Sequence, residues 1–294
     1  MKKVLNLAIA IIVTSLFVAC SEDNNTPTVG SLTLNLDGLE ELGNEYVYEG
    51  WLIVNGNPVS TGVFSSVSFP QSFDVDLTDL SSATTFVLSI EPAGETGADA
   101  LAPADTKILV GDFNGNSASV SSNGIVGDFT NALGKYILAT PTDTDDTNES
   151  SGVWFLDNSN APPAVAGLSL PTLSAGWKYE GWVVLNGFPV STGTFLAPTG
   201  ADDNATTSPY KGTTSNGPGF PGEDYIIGSA AGVNFPTDLK GATIVISVEP
   251  YPDNSPAPFT LKPLAHMVPA NALDHTVINM GVGPISVLSG TVSR

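Results

Sequence analysis

The stretch YEGWLIVNGNPVSTGVF, Tyr48 to Phe64, returns as YEGWVVLNGFPVSTGTF, Tyr179 to Phe195. Twelve of the seventeen positions are identical, all at an offset of 131. Few structures can carry such a phrase. An apolar run meets Asn-Gly and a second run follows. That order suits a type I′ hairpin, because both central residues of the turn take positive φ. Asn55-Gly56 and Asn186-Gly187 are therefore read as two hairpin turns. Pro58 and Pro189 lack an amide for the ladder, so each return strand should start irregularly or lie at an edge. Gly62 and Gly193 permit a bulge or a close backbone approach. Trp51 and Trp182 are the structural anchors expected between the sheets.

Further blocks repeat in the same order. TDLSSATTFVLSIEP (Thr78 to Pro92) parallels TDLKGATIVISVEP (Thr237 to Pro250), and NALGKYIL (Asn131 to Leu138) parallels NALDHTVI (Asn271 to Ile278). This pattern is read as a tandem duplication. Short β-branched and aromatic runs, interrupted by Gly, Pro, Asn and Asp, give candidate strands throughout. In the first half they are Leu32–Leu36, Tyr46–Val54, Phe86–Glu91, Lys107–Val110, Tyr136–Thr140 and Val153–Leu156. In the second they are Leu168–Leu170, Lys178–Leu185, Ile244–Glu249, Thr276–Met280 and Ile285–Val292. No capped helical stripe is visible, and Asp79–Ala83 fits one short turn. The expected fold class is all-β: two tandem β-sandwich domains after a lipoprotein signal peptide. The expected divisions are signal peptide 1–19, flexible tether 20–30, first sandwich 31–160 and second sandwich 164–294.

The spacers differ. Phe64 to Thr78 is 14 positions, whereas Phe195 to Thr237 is 42. The extra residues, Leu196 to Phe235, read as a long surface excursion in which Tyr210, Phe220 and Tyr225 are candidates for a binding surface. The first half is longer between Pro92 and Asn131, where KILVGDFNGNSASVS suggests an added hairpin.

The beginning of the chain reads as an address. Lys2 and Lys3 precede an apolar stretch, Leu5 to Val18, that is shorter than the roughly 20 residues a bilayer span needs. That is the pattern of a secretory signal. Phe17-Val18-Ala19-Cys20 resembles the lipobox of bacterial lipoproteins, which would make Cys20 the lipidated mature N-terminus. The acidic, polar SEDNNTPTVG that follows resembles the surface-export signal of Bacteroidetes lipoproteins. The expected location is the outer membrane, lipid-anchored, with cell-surface exposure.

Cys20 is the one cysteine of the sequence, so the mature chain can form no internal disulfide and has no cysteine ligand set or buried thiol nucleophile. Removing residues 1–19 leaves 9 − 2 = 7 basic against 30 acidic residues, a net charge of −23. Clustered Lys or Arg, which nucleic acids require, are missing. Membrane contact is therefore assigned to the lipid anchor, with no nucleic-acid partner.

EGWLIVNGNPVSTGVF followed by FVLSIEPAGETG resembles the extracytoplasmic C-terminal domain of anti-sigma-K factors. The second half resembles it again through EGWVVLNGFPVSTGTF and ISVEPYPDNSPAPFTLKPL. The resemblance implies a β-sandwich outside the cytoplasmic membrane. It does not carry anti-sigma activity across, because that needs a cytoplasmic sigma-binding domain and a transmembrane helix, and the sequence shows neither.

Candidate chemistry is sparse. A Ser-His-Asp arrangement would need His266 or His275, and neither has a matching partner set in both halves. Glu49 with Glu91, and Glu180 with Glu249, recur at corresponding places. Paired carboxylates serve glycoside hydrolysis, but inside repeated scaffold blocks Glu91 and Glu249 read as structural, accepting hydrogen bonds at strand ends. PTDTDDTNESSG gathers Asp143, Asp145, Asp146 and Glu149, oxygen ligands of the type Ca²⁺ takes. The EF-hand spacing fails there, because position 147 is Thr. No other cofactor is expected. The function expected is a non-enzymatic envelope or surface protein that binds an unknown protein or glycan partner, or has a structural role. The alternatives are an extracellular hydrolase using the carboxylates, and an envelope component of a sigma/anti-sigma system acting through a separate membrane partner.

Overall fold

The computed structural model describes residues 28–160, 162–252 and 255–294. The signal peptide, most of the tether and Cys20 lie outside the described residues. The first strand begins at Val29, so the tether ends short of residue 30.

The two repeated phrases form the hairpins that their chemistry requires. Tyr46–Val54 pairs with Asn57–Phe64, and Trp177–Leu185 pairs with Phe188–Phe195, all antiparallel. Asn55 and Gly56 have φ of 52° and 81°, and Asn186 and Gly187 have 50° and 84°. In the first hairpin the register slips between Gly50 and Trp51, because Gly50 faces Gly62 while Trp51 faces Ser60. Thr61 is thereby squeezed out as a bulge opposite Gly50. Thr192 does the same opposite Gly181. Neither Gly50 nor Gly181 could carry a methyl group there: the bulged threonine hydroxyl and a phenylalanine ring, Phe86 or Phe155, fill the space. Both proline-bearing return strands lie at a sheet edge, where a missing amide leaves no ladder bond unmade.

Among the described residues the largest sheet has eight strands. Their order is Asn57–Phe64, Tyr46–Val54, Ala83–Pro92, Lys107–Asn114, Ser117–Ser121, Ser289–Ser293, Val29–Asp37 and Gln71–Asp76. The two outermost strands approach each other, and Phe64 meets Phe73 with ring centroids 5.6 Å apart. The sheet is nearly closed and barrel-like. Lys107–Asn114 and Ser117–Ser121 form a hairpin. The short helix Leu77–Ser82 is capped by Asp76, whose carboxylate accepts the amides of Thr78 and Asp79.

The sixth strand of that sheet is the last strand of the chain. Ser289–Ser293 lies antiparallel to Val29–Asp37 on one side and to Ser117–Ser121 on the other. A separate small sheet joins segments of both halves. Leu133–Leu138 leaves the first-half sheet and pairs with Leu168–Ser169, with Gly152–Trp154 and with Ile278–Asn279. The first-half sheet thus receives a strand from the end of the second half, and Leu133–Leu138 bridges segments of both halves. A second sheet, ordered Phe188–Phe195, Trp177–Leu185, Thr243–Pro250, Lys262–Met267 and Gly281–Ile285, carries the Trp182 hairpin.

These pairings correct the expected architecture. Strand pairing crosses the expected break between residues 160 and 164, and one buried cluster runs from Leu32 and Leu52 through Val126, Phe129 and Tyr179 to Ile246 and Val292. The architecture is mostly β, with several antiparallel sheets joined through one interior. Lys262–Met267, which no candidate covered, pairs with Thr243–Pro250 as Lys107–Asn114 pairs with Ala83–Pro92, so the first strand of the expected extra hairpin has a counterpart in the second half. Ile285–Val292 divides between two strands in different sheets. The excursion after Phe195 is also less superficial than expected. Its Tyr225 is fully buried, packed against Tyr210 and Phe235 at 5.9 and 5.2 Å.

Candidate functional site

A concavity forms where corresponding ends of the two hairpin sheets meet. Tyr46 pairs with Pro92 at the end of the first, and Trp177 pairs with Pro250 at the end of the second. Both strand ends open onto one pocket of about 470 Å³. The first half contributes the turn from Glu40 to Asn44, with Tyr46, Ile90, Pro92 and Ala104–Thr106. The second contributes Gly176, Glu249–Pro252, Ser255, Pro256 and Phe259.

Local bonds fix the walls. Tyr251 donates its amide to the Gly176 carbonyl (2.8 Å) within the second half, and Thr260 donates its hydroxyl to the Gly38 carbonyl (2.7 Å), which ties the second half to the first. Gly176 has φ +84°, and a methyl group there would strike the backbone of Asp105 and Thr106. Phe259 packs on Trp177 with centroids 5.9 Å apart. Lys107 and Lys262 occupy corresponding places behind the walls. Lys107 donates to the carbonyl of Ala104 (2.9 Å) and Lys262 to that of Phe259 (2.6 Å). Burial pushes the Lys262 ammonium down, against the opposing charges of Glu40 and Glu249.

Glu249 of the lining belongs to a relay that both halves possess. Trp51 donates its indole N–H to Ser89 (2.9 Å), and Ser89 donates to Glu91. Trp182 donates to Ser247 (2.7 Å), and Ser247 donates to Glu249. Glu91 also accepts the amide of Ala104 (2.8 Å), and Glu249 that of Phe259 (2.9 Å). Each glutamate therefore pins a pocket-lining loop to a buried tryptophan. Burial is the main cause that raises the Glu91 carboxyl above its usual range. Glu49 and Glu180, the other members of the carboxylate pairs, accept from Ser60 and Ser191 across their hairpins. These four carboxylates are held by side-chain and backbone donors within the scaffold.

The acidic loop lies elsewhere. Asp143 accepts from the Asn148 amide group (2.7 Å), and Asp145 from the Thr147 hydroxyl (2.6 Å). Glu149 accepts the amide of Thr140 (2.8 Å) and stands 3.3 Å from His275. Asp146 shares the loop with them. His266 bonds Tyr136 at 2.9 Å. Among the described residues no group of three His, Cys, Asp or Glu side chains is arranged to hold a metal ion, and no helix is long and apolar enough to cross a membrane.

One cluster was not anticipated. Asp202, Glu223 and Asp224, all in the excursion, are buried. Asp224 accepts from Trp154 (2.7 Å) and from Thr142, and Asp202 accepts the amide of Gly222 (2.9 Å). Burial pushes the Glu223 carboxyl up to about 8, and those of Asp202 and Asp224 to about 6. The signal was present in the sequence as GEDYII directly after PGFP, acidic residues set among aromatic and aliphatic ones. A surface reading of the excursion concealed it.

No curated protein and no solved structure matches the chain. Residues 24–106 match the model of the family described as anti-sigma-K factor rskA, C-terminal; the first half therefore carries one domain of that type, and through it a link to anti-sigma factors.

Proposed function

We propose that this protein is a lipid-anchored, non-enzymatic binding protein of the bacterial outer membrane, exposed at the cell surface, in which two domains of the anti-sigma-K C-terminal type cooperate to shape one ligand pocket. The pocket at the seam carries the reading, because its walls come from corresponding strand ends of both halves. Concave sites with aromatic walls and a few fixed polar groups are the usual form of a ligand site. A second copy of the domain is supported by bonds that recur in both halves. The Trp–Ser–Glu relay is one. Another is the tyrosine that anchors the loop ahead of each hairpin, from Tyr48 to Glu40 (2.8 Å) and from Tyr179 to Pro171 (2.6 Å). Anchoring rests on Cys20 and the residues before it.

Metabolic labelling with palmitate tests the anchor. Label is expected on the wild-type chain and lost in Cys20→Ala. A thermal-shift screen of the full mature chain against peptide and glycan panels, run beside a general hydrolase panel, tests the binding role. Ligand shifts that disappear in Tyr46→Ala and Tyr251→Ala are expected. Turnover of a hydrolase substrate would overturn the non-enzymatic reading.

The family match favours a second reading, an envelope component of a sigma/anti-sigma system that acts through a separate membrane partner. Crosslinking in intact cells would then capture a membrane-spanning protein, and deletion of the chain would alter transcription dependent on the cognate sigma factor.

A further inference from the structure

Resting on the binding reading above, we propose that the seam pocket takes a primary alkylammonium group, either the side chain of a protein lysine or a free amine. The pocket wall bears Glu40, Glu41, Asp105 and Glu249, and no Lys, Arg or His is among its described lining residues. Two neighbouring ammonium groups, Lys107 and Lys262, are turned into the backbone carbonyls of Ala104 and Phe259, and a third, Lys178, is paired with Asp203. Four lining carboxylates against three ammonium groups, one of which is already balanced by Asp203, leave an excess of negative charge, and a cleft with apolar walls concentrates such a field.

The apolar part of the lining suits the rest of such a ligand. Tyr46, Tyr251, Phe259 and four prolines give aromatic and hydrocarbon surface of the kind that receives a lysine stem. A cation over a tyrosine ring gains from the ring quadrupole. The protein already uses this contact at the pocket rim, where Lys178 places its ammonium nitrogen 3.8 Å from the centre of the Tyr251 ring while bonding Asp203 at 2.8 Å. Lys178 is not part of the lining. An anionic ligand would meet carboxylates on both walls.

Calorimetric titration of the full mature chain tests the proposal, with three probes: 1,5-diaminopentane, the peptide acetyl-Gly-Lys-Gly-amide, and the same peptide with its lysine acetylated. Binding of at least one ammonium probe is expected, at least tenfold tighter than the neutral peptide, and weakening as salt rises from 50 to 500 mM. Tyr251→Ala and the double variant Glu41→Gln/Asp105→Asn should each weaken it about tenfold or more. All three residues are exposed enough to leave the fold intact, which an unchanged melting temperature would verify. Preference for the peptide points to a protein lysine, and preference for the diamine to a free amine. Equal binding of the acetylated peptide overturns the cation assignment. So does a panel ligand that binds through Tyr46 and Tyr251 while both ammonium probes fail, although the pocket itself would then stand as a binding site. Failure of every probe and every panel compound overturns both readings.

Discussion

Leu34, in the first described strand, stands opposite Val292 near the end of the chain. Both side chains are fully buried, in the same interior. The pairing makes the C-terminal strand an internal member of the first-half sheet. Nothing could be removed from it without opening the sheet on both sides.

Truncation before Ser289 should therefore unfold more than a tail. It removes the ladder partner of Val29–Asp37 and of Ser117–Ser121 together. A milder variant, Leu288→Ala, deletes a buried side chain and should cost about 2–5 kcal/mol by chemical denaturation. Loss of protection should appear first in the amides of residues 29–37 when hydrogen exchange is followed. Protection lost only in the second-half sheet would contradict the pairing.

The Trp–Ser–Glu relays give a paired test. Ser89→Ala leaves a buried indole N–H without its acceptor, and Ser247→Ala does the same in the other half. Each should cost about 1–3 kcal/mol. The relays share no residue, so the double variant should show nearly the sum. A cost below a few tenths of a kcal/mol at either site would show that its relay contributes little.

Stability should fall as pH rises from about 4.5 to about 8. The folded chain holds a proton on Glu223 up to about pH 8, whereas the unfolded chain releases it near the ordinary value of 4.5. Within that window the unfolded state binds fewer protons, so rising pH favours it. Asp202 and Asp224, raised to about 6, act in the same direction up to that value. Asp157, held down to about 2 chiefly by its bond from Lys135, loses its contribution only in acid below the ordinary range and leaves this window unaffected. Each fully linked proton changes stability by about 1.4 kcal/mol per pH unit. Glu223→Gln should flatten the decline of melting temperature between pH 6 and 8. An unchanged slope would refute the assignment.

Calcium at millimolar concentration should leave the melting temperature unchanged. The carboxylates of Asp143, Asp145 and Glu149 already accept from neighbouring donors in the loop, which a bound ion would have to displace. A rise of several degrees that disappears in Asp143→Asn would reverse this expectation and assign the loop to Ca²⁺.

The two hairpins were legible because their determinants are local. Asn55-Gly56 and Asn186-Gly187 fix the turns, Pro58 and Pro189 send the return strands to the edges, and Gly50 and Gly181 leave room for the bulged threonines. The same locality made Trp51 and Trp182 recognisable as buried anchors. Strand partnership is a different matter. Strands such as Leu133–Leu138 (LGKYIL) and Ser289–Ser293 (SGTVS) are short and lack the apolar alternation that would fix one face and one register. Nothing in those few residues states which half each completes. The joining of the halves, the pocket at their seam and the burial of Asp202, Glu223 and Asp224 arise only when distant segments are packed together. The free energy that selects them belongs to shared interior surface, and no single segment contains it.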